Sequence, residues 1–181
     1  MTEKRTVVIT GGGKGIGADL ARTFYAQGHR VVIGSRSDNG LAKELGERAI
    51  FCPTDVRQPQ DLRQLMQAAV DWSGQLDVVI NNAGHSQWKP AAEVDEDFWQ
   101  KMIDTNLKGV FFGCQAAGEQ LQDGGCIVNV SSLASRRGSA NNSVYCASKF
   151  GVNGITQALA KEWGKRGIRV NAVCPVYVRT E

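Results

Sequence analysis

Tyr145 and Lys149 stand four residues apart in the stretch SSLASRRGSANNSVYCASK, and Ser132 lies thirteen residues before the tyrosine. On a helix such an i, i+4 pair points the same way. A phenol and an ammonium on one face form a proton-handling unit, because the cation favours phenolate and lowers the tyrosine pKa. An unperturbed tyrosine titrates near ~10, so bringing it to neutrality takes ~3 pH units, about 4 kcal/mol of differential stabilisation. One lysine supplies part of that. A second positive charge would supply more, and an oxidised nicotinamide ring is one. Standing alone, Tyr-x-x-x-Lys is more simply a solvated helix surface, so its meaning depends on the elements around it.

Those elements alternate. Thr6 to Thr10 (TVVIT) is a β-branched run leading into Gly11-Gly12-Gly13-Lys14-Gly15-Ile16-Gly17. The pattern ADLARTFYAQG follows as a helix closed by Gly28, and Arg30 to Ser35 (RVVIGS) is a second apolar strand. Strand, glycine-rich turn, helix and strand make a right-handed βαβ unit. Beyond it, helices are predicted at about 39–47, 58–73, 95–121 and 143–166, and strands at about 49–52, 76–80, 126–130 and 168–173. Most of these six strands are continuous apolar runs, the pattern of a parallel sheet buried on both faces. No linker or repeat divides the chain, so residues 1–181 read as one doubly wound α/β domain.

The glycines follow G-x-x-x-G-x-G at Gly11, Gly15 and Gly17. Between a first strand and a first helix, such a turn lets the backbone approach a pyrophosphate at the helix N-terminus. The end of the second strand should then choose the nucleotide. A carboxylate there binds a ribose 2′-hydroxyl, whereas an arginine accommodates a 2′-phosphate. Here the strand ends Gly34-Ser35-Arg36-Ser37, with no carboxylate before Asp38. Arg36 suits bidentate phosphate binding, and Lys14 in the glycine turn adds a second cation. The expectation is NADP(H) in preference to NAD(H), with Asp38 keeping NAD(H) open; the plainer reading makes both cations solvated surface groups.

Composition excludes other classes. The chain is 42% hydrophobic and 22% charged, and no apolar run is long enough to span a bilayer. A net charge of +3, with the basic residues scattered, does not point to nucleic acid. The N-terminus MTEKRTVVIT carries no signal-peptide pattern, so a cytoplasmic location is expected. Five cysteines lie far apart without a C-x-x-C, which argues against a disulfide framework or a metal site.

With TGGGKGIG at 10–17, Asp55, NNAG at 81–84, Asn106 in DTNLKG, IVNVSS at 127–132, YCASK at 145–149 and NAVCP at 171–175, the chain resembles the short-chain dehydrogenase/reductase family. These motifs cover nearly the whole chain in the family's order. The resemblance implies a Rossmann-type fold and an oxidoreductase interconverting a secondary alcohol and a ketone with NAD(P). It implies a catalytic set of Asn106, Ser132, Tyr145 and Lys149. Tyr145 would exchange the proton with the substrate oxygen. Ser132 would hydrogen-bond that oxygen. Lys149 would tune the tyrosine and hold the nicotinamide ribose, and Asn106 would hold a relay water through its helix backbone. Cofactor contacts would come from Gly11, Lys14, Gly15, Ile16, Gly17, Ser35, Arg36, Tyr145 and Lys149. Asp55 and Val56 would meet the adenine, Asn82, Ala83 and Gly84 the adenosine ribose and sheet edge, and Val178 and Thr180 the nicotinamide end. Taken singly, Asn81 and Asn82 are turn caps, Asn106 a polar helix residue, and Ser131 and Ser132 turn residues.

Two features depart from the family pattern. Val176 follows Pro175 where a glycine is usual, and the sequence ends at Glu181. A substrate-covering loop, a last helix and a seventh strand are therefore expected to be missing. Substrate selection would involve residues 85–92 (HSQWKPAA) and 133–143, with a small carbonyl or alcohol compound of unspecified class as ligand. The outer faces of the helices at 95–121 and 143–166 would build a homodimer or homotetramer. The competing reading is a non-catalytic nucleotide-binding protein or an inactive truncated fragment.

Overall fold

The computed structural model describes residues 4–180. Residues 1–3 and 181, the ends of the expected 1–181 domain, lie outside the described residues. Six strands, β1 (Thr6–Thr10), β2 (Arg30–Ser35), β3 (Ala49–Pro53), β4 (Val78–Asn81), β5 (Cys126–Val130) and β6 (Arg169–Val173), form one sheet in the order β3-β2-β1-β4-β5-β6. Every pairing is parallel. The chain leaves β1 toward β2 on one side and returns to β4 on the other. That reversal opens a crevice beyond the carboxyl ends of the strands, where ligands of open α/β sheets bind.

Side-chain alternation assigns each face its helices. Val8, Val32, Val79 and Ile127 point to the layer of α3 (Pro59–Ser73), α5 (Gly109–Gln120) and α6 (Ser143–Glu162), where Leu62, Leu65, Met66, Val110, Cys114 and Val152 pack against them. Val7, Ile9, Val31, Ile33, Val78 and Ile80 point the other way, toward Ala18 and Ala21 of α1 (Gly15–Ala26) and Leu41 and Ala42 of α2 (Leu41–Leu45). Each fully buried Leu or Val in these layers contributes about 2 kcal/mol by leaving water. α3 shows how the local sequence sets its limits. Pro59 opens it, where the missing N–H costs nothing, and Gly74 closes it at φ 78° with its N–H on Val70 O.

Three expected helices differ in detail. The one predicted at about 39–47 shortens to Leu41–Leu45, because Asp38 Oδ1 accepts from Gly40 N at 2.8 Å and Asn39 Oδ1 from Leu41 N at 3.2 Å. These side-chain turns compete with a helix start before Leu41. The one at 143–166 stops at Glu162 and continues only as a 3-10 turn, Gly164–Arg166, that ends on Gly167 at φ 68°. The long helix at 95–121 divides into α4 (Glu96–Ile103), a π turn (Asp104–Lys108) and α5. No helix among the described residues is long and apolar enough to cross a membrane.

Candidate active site

β5 ends at Val130, and the chain passes through Ser131 and Ser132 into a 3-10 turn, Leu133–Ser135. Ser132 caps that turn: its Oγ accepts from Ala134 N at 3.1 Å. Accepting that bond leaves the hydroxyl its own proton to donate. The turn is braced from beneath. Ser135 Oγ donates to Ser132 O at 2.6 Å and accepts from Asn153 Nδ2 of α6 at 2.8 Å, and Cys174 Sγ lies 3.6 Å away.

Opposite stand Tyr145 and Lys149, one turn apart on α6. Tyr145 is half-buried, while Lys149 is only 4% exposed, with Nζ 5.7 Å from the centre of the tyrosine ring. Nζ donates to Val130 O at 2.8 Å, which leaves two of its three protons for other acceptors. Burial pulls the Lys149 pKa down from 10.5 to about 8, with the Cys174 thiol acting weakly the other way. The ammonium therefore still predominates at neutral pH.

Asn106 sits in the π turn, fully buried. Its side chain clamps the backbone of His85: Oδ1 accepts from His85 N and Nδ2 donates to His85 O, both at 2.7 Å. Nδ2 also lies 3.3 Å from Ser148 Oγ on α6. Within this turn Gly109 N donates to Asp104 O, one residue out of α-helical register. Such π insertions are frequent at functional sites. Gly84 marks where the parts meet, since a Cβ placed there would lie 3.6 Å from Asn106 Oδ1 and 3.8 Å from Lys149 Nζ.

Beneath them runs a buried ladder that sequence reasoning did not find. Asn81 Nδ2 donates to Asn129 Oδ1, and Asn129 Nδ2 to Thr156 Oγ1, both at 2.9 Å. It ties β4, β5 and α6 together with its polar atoms satisfied, and a network of that kind holds a single geometry. Burial beside it pushes the Cys114 thiol up to about 12.

The glycine turn lies at the mouth of the crevice. Gly11, at φ 65°, packs on β4's exit loop, where a Cβ would come within 2.9 Å of Ala83 Cα. A Cβ on Gly17 would strike Gly11 O and sit 2.6 Å from Asn82 Nδ2, so glycine is what lets α1 start against the turn. The Asn82 amide ties the β4 exit loop to the glycine turn. Its Nδ2 donates to Thr10 O at 3.0 Å and Gly11 O at 3.2 Å, while Thr10 Oγ1 accepts from Asn82 N and Ala83 N. Ile16 is half-buried, and Lys14, just before α1, is exposed with its side chain capping nothing. Asn39, which the motif did not single out, donates to Gly13 O and fixes the far side of the turn.

At the end of β2, Ser35 Oγ donates to Ser37 O at 2.9 Å, Arg36 is exposed, and one oxygen of Asp38 is held by Gly40 N. Asp55 and Val56 follow β3. The Asp55 carboxylate is chelated by Arg57, which holds its pKa below the usual carboxylate range, with Arg36 adding to the effect. Val56 backs onto α5, where a Cβ on Gly109 would lie 3.0 Å from Val56 O.

After β6 the chain crosses back over the crevice. Thr180 reaches the glycine turn, its Cγ2 3.5 Å from where a Gly15 Cβ would stand, while Val178 is exposed. Val176 makes its bend without a positive φ, and Pro175 O accepts from Leu133 N at 3.0 Å. The turn that usually carries a glycine thus uses negative-φ geometry here and is anchored on the Ser132 loop.

A sequence model of the family described as short chain dehydrogenase matches residues 5–181. The chain belongs to that family. D-threitol dehydrogenase of Mycolicibacterium smegmatis is 35% identical over 187 residues, covering 98% of this chain and 71% of the relative. 3beta-hydroxysteroid dehydrogenase 1 of Eggerthella lenta is 39% identical over 186 residues, covering 97% and 71%. Among solved structures, a double mutant of a Serratia marcescens short-chain dehydrogenase/reductase superposes with a TM-score of 0.92 at 29% identity, covering 98% of this chain and 76% of that one. This chain is thus a short-chain dehydrogenase, an oxidoreductase of CH–OH groups with a Rossmann-type nucleotide-binding fold. Family members use NAD(P), and the residues present fit such a dinucleotide. Gly11 and Gly17 bring the turn and α1 together without side chains in the way, and the α1 N-terminus and Lys14 supply positive charge for a pyrophosphate.

Proposed function

We propose that this dehydrogenase interconverts a secondary alcohol and a ketone with NADP(H), using Ser132, Tyr145, Lys149 and Asn106. The observation that carries the reading is the grouping at the carboxyl end of β5: a serine hydroxyl with a proton to donate, a half-buried phenol, and a buried ammonium with two protons to give. When bound, the nicotinamide supplies the hydride and, once oxidised, a positive charge. Tyr145 then gives its proton to the carbonyl oxygen in reduction, or takes it in oxidation. Ser132 Oγ stabilises the charge that develops on that oxygen. Lys149 Nζ, held in place by Val130 O, stabilises phenolate and offers its remaining protons to ribose hydroxyls. The Asn106 side chain positions the His85 backbone, and the π turn around it leaves main-chain groups to hold a relay water between Lys149 and solvent.

NADP(H) is favoured over NAD(H) by the exposed Arg36 guanidinium and by Lys14, while Asp38 is drawn into its own turn. The substrate would lie between residues 85–92 and 133–143, which are linked where Lys89 N donates to Asn141 O at 2.7 Å. Trp88 and Leu133, 57% and 37% exposed, line that edge. They suit a carbonyl compound with an apolar portion. Self-association would use the outer faces of α4, α5 and α6. The residues available there are Trp99, Phe111 and Phe150, each 40–49% exposed, while Val152 and Leu159 are buried in the core. A cytoplasmic setting is supported by the five free cysteines.

The test is a panel of β-ketoacyl thioesters, sugar ketones and steroid ketones, followed by loss of NADPH absorbance. Turnover of one class supports the reading. A chain that binds NADPH and reduces none of them is the non-catalytic nucleotide-binding protein instead.

A further inference from the structure

The ends of β2 and β3 lie side by side. Thr54 N donates to Ser35 O at 2.9 Å, so Arg36 and Asp55 are each the next residue beyond that rung. A cation and a carboxylate in those places would ordinarily pair with each other, and an arginine so occupied is lost to a phosphate. Here a different arginine takes the carboxylate. Arg57 folds back over two residues, with Nε 2.9 Å from Asp55 Oδ1 and 3.0 Å from Oδ2, and Nη2 also donating to Oδ2. Its backbone N–H adds a further bond to Oδ1 at 3.0 Å. Asp55 makes its ion pair with Arg57, and among the described residues Arg36 makes none. Asp104 also acts on Arg57, but is itself 3.6 Å from Lys108.

We infer that Arg57 is a specificity-determining residue: by neutralising Asp55 it keeps Arg36 free for the 2′-phosphate of a phosphorylated dinucleotide. The inference rests on the cofactor site proposed above. Arg57 acts through Arg36, so it positions and does not itself touch the phosphate. Without it, the bare Asp55 carboxylate competes for the Arg36 guanidinium and repels the phosphate dianion. NADH lacks the phosphate, and any change at the shared adenine acts on both cofactors and cancels in their ratio.

The experiment titrates the full chain with NADPH and with NADH and compares the ratio of dissociation constants in Arg57→Ala, Arg57→Lys, Asp55→Asn and the Arg57→Ala/Asp55→Asn double variant. Arg57→Ala should lower the preference for NADPH by about fivefold, the scale of one partly exposed charge pair. NADH affinity should hold. Removing the competing charge in the double variant should restore the preference, and Arg57→Lys should keep most of it. The inference is overturned if Arg57→Ala leaves the preference intact or weakens both cofactors equally, or if the double variant is no better than Arg57→Ala. Equal affinities in the unmodified chain would remove the 2′-phosphate reading and this inference together. Discrimination that is lost in Arg36→Ala but kept in Arg57→Ala would remove this inference alone.

Discussion

Lys149→Met should make the cofactor-free protein more stable while removing its activity. The ammonium is 4% exposed, and burial lowers its pKa from 10.5 to about 8. At about 1.36 kcal/mol per pH unit, keeping it charged near neutral pH costs the fold about 3 kcal/mol. Methionine is apolar, unbranched and of similar length. It removes that cost but leaves Val130 O without its donor, a loss of about 1 kcal/mol. The net gain of about 2 kcal/mol corresponds to a rise in Tm of roughly 4–8 °C for a domain of this size. The sign with pH follows from proton binding. Unfolded, the lysine holds its proton up to about 10.5; folded, it releases it at about 8. Between those values the unfolded state binds more protons, so wild-type stability climbs with pH. The advantage of the variant should be complete below pH 8, vanish at about pH 9.5, and become a deficit of about 1 kcal/mol above pH 10.5. Urea unfolding of both proteins, followed by tryptophan fluorescence from about pH 7 to 10.5, measures it. A variant less stable than wild type near pH 7, or an advantage that ignores pH, would refute the assignment of a strained, buried ammonium.

Further substitutions probe the other parts. Ser132→Ala should cut turnover by about 10²–10³ with NADPH affinity unchanged, as expected for loss of one donor to the developing charge; steady-state kinetics and cofactor titration check both halves. Arg36→Ala should remove most of a preference for NADPH over NADH of at least about tenfold, roughly 1.4 kcal/mol, read by calorimetry with each cofactor. Asn106→Ala frees both His85 backbone groups and empties a buried polar position, so it should destabilise the fold by about 2–3 kcal/mol in urea unfolding.

Much of this architecture follows from local signals. The β1–glycine turn–α1–β2 unit is legible because a β-branched run, glycines and a helical period occur in immediate succession. The parallel sheet is legible because its strands are apolar on both faces. The Tyr145–Lys149 pair is legible because helical spacing alone puts the two on one side. What escapes the sequence depends on side chains choosing partners across the fold. The π turn at Asp104–Lys108 falls in the polar segment DTNLK, where no run of apolar residues marks the change of helical phase. The bonds of the Asn82 amide to the carbonyls of Thr10 and Gly11 join residues some seventy positions apart, which no local pattern shows. Arg57 chelates Asp55 across an i, i+2 step in a loop, where no period exists to betray it. On α6 the sequence leaves open which apolar face is covered; Val152 and Leu159 fill the core, while Phe150 is left exposed.

The most direct test of the central claim is hydride transfer by Tyr145→Phe against whichever carbonyl compound the unmodified chain reduces. The phenol oxygen is the only atom removed, and Lys149 and Ser132 keep their bonds to Val130 O and Ala134 N. The variant should bind NADPH within about twofold of wild type and show no turnover above background. Reduction at the wild-type rate with NADPH bound would show that the proton comes from elsewhere, and would contradict the account.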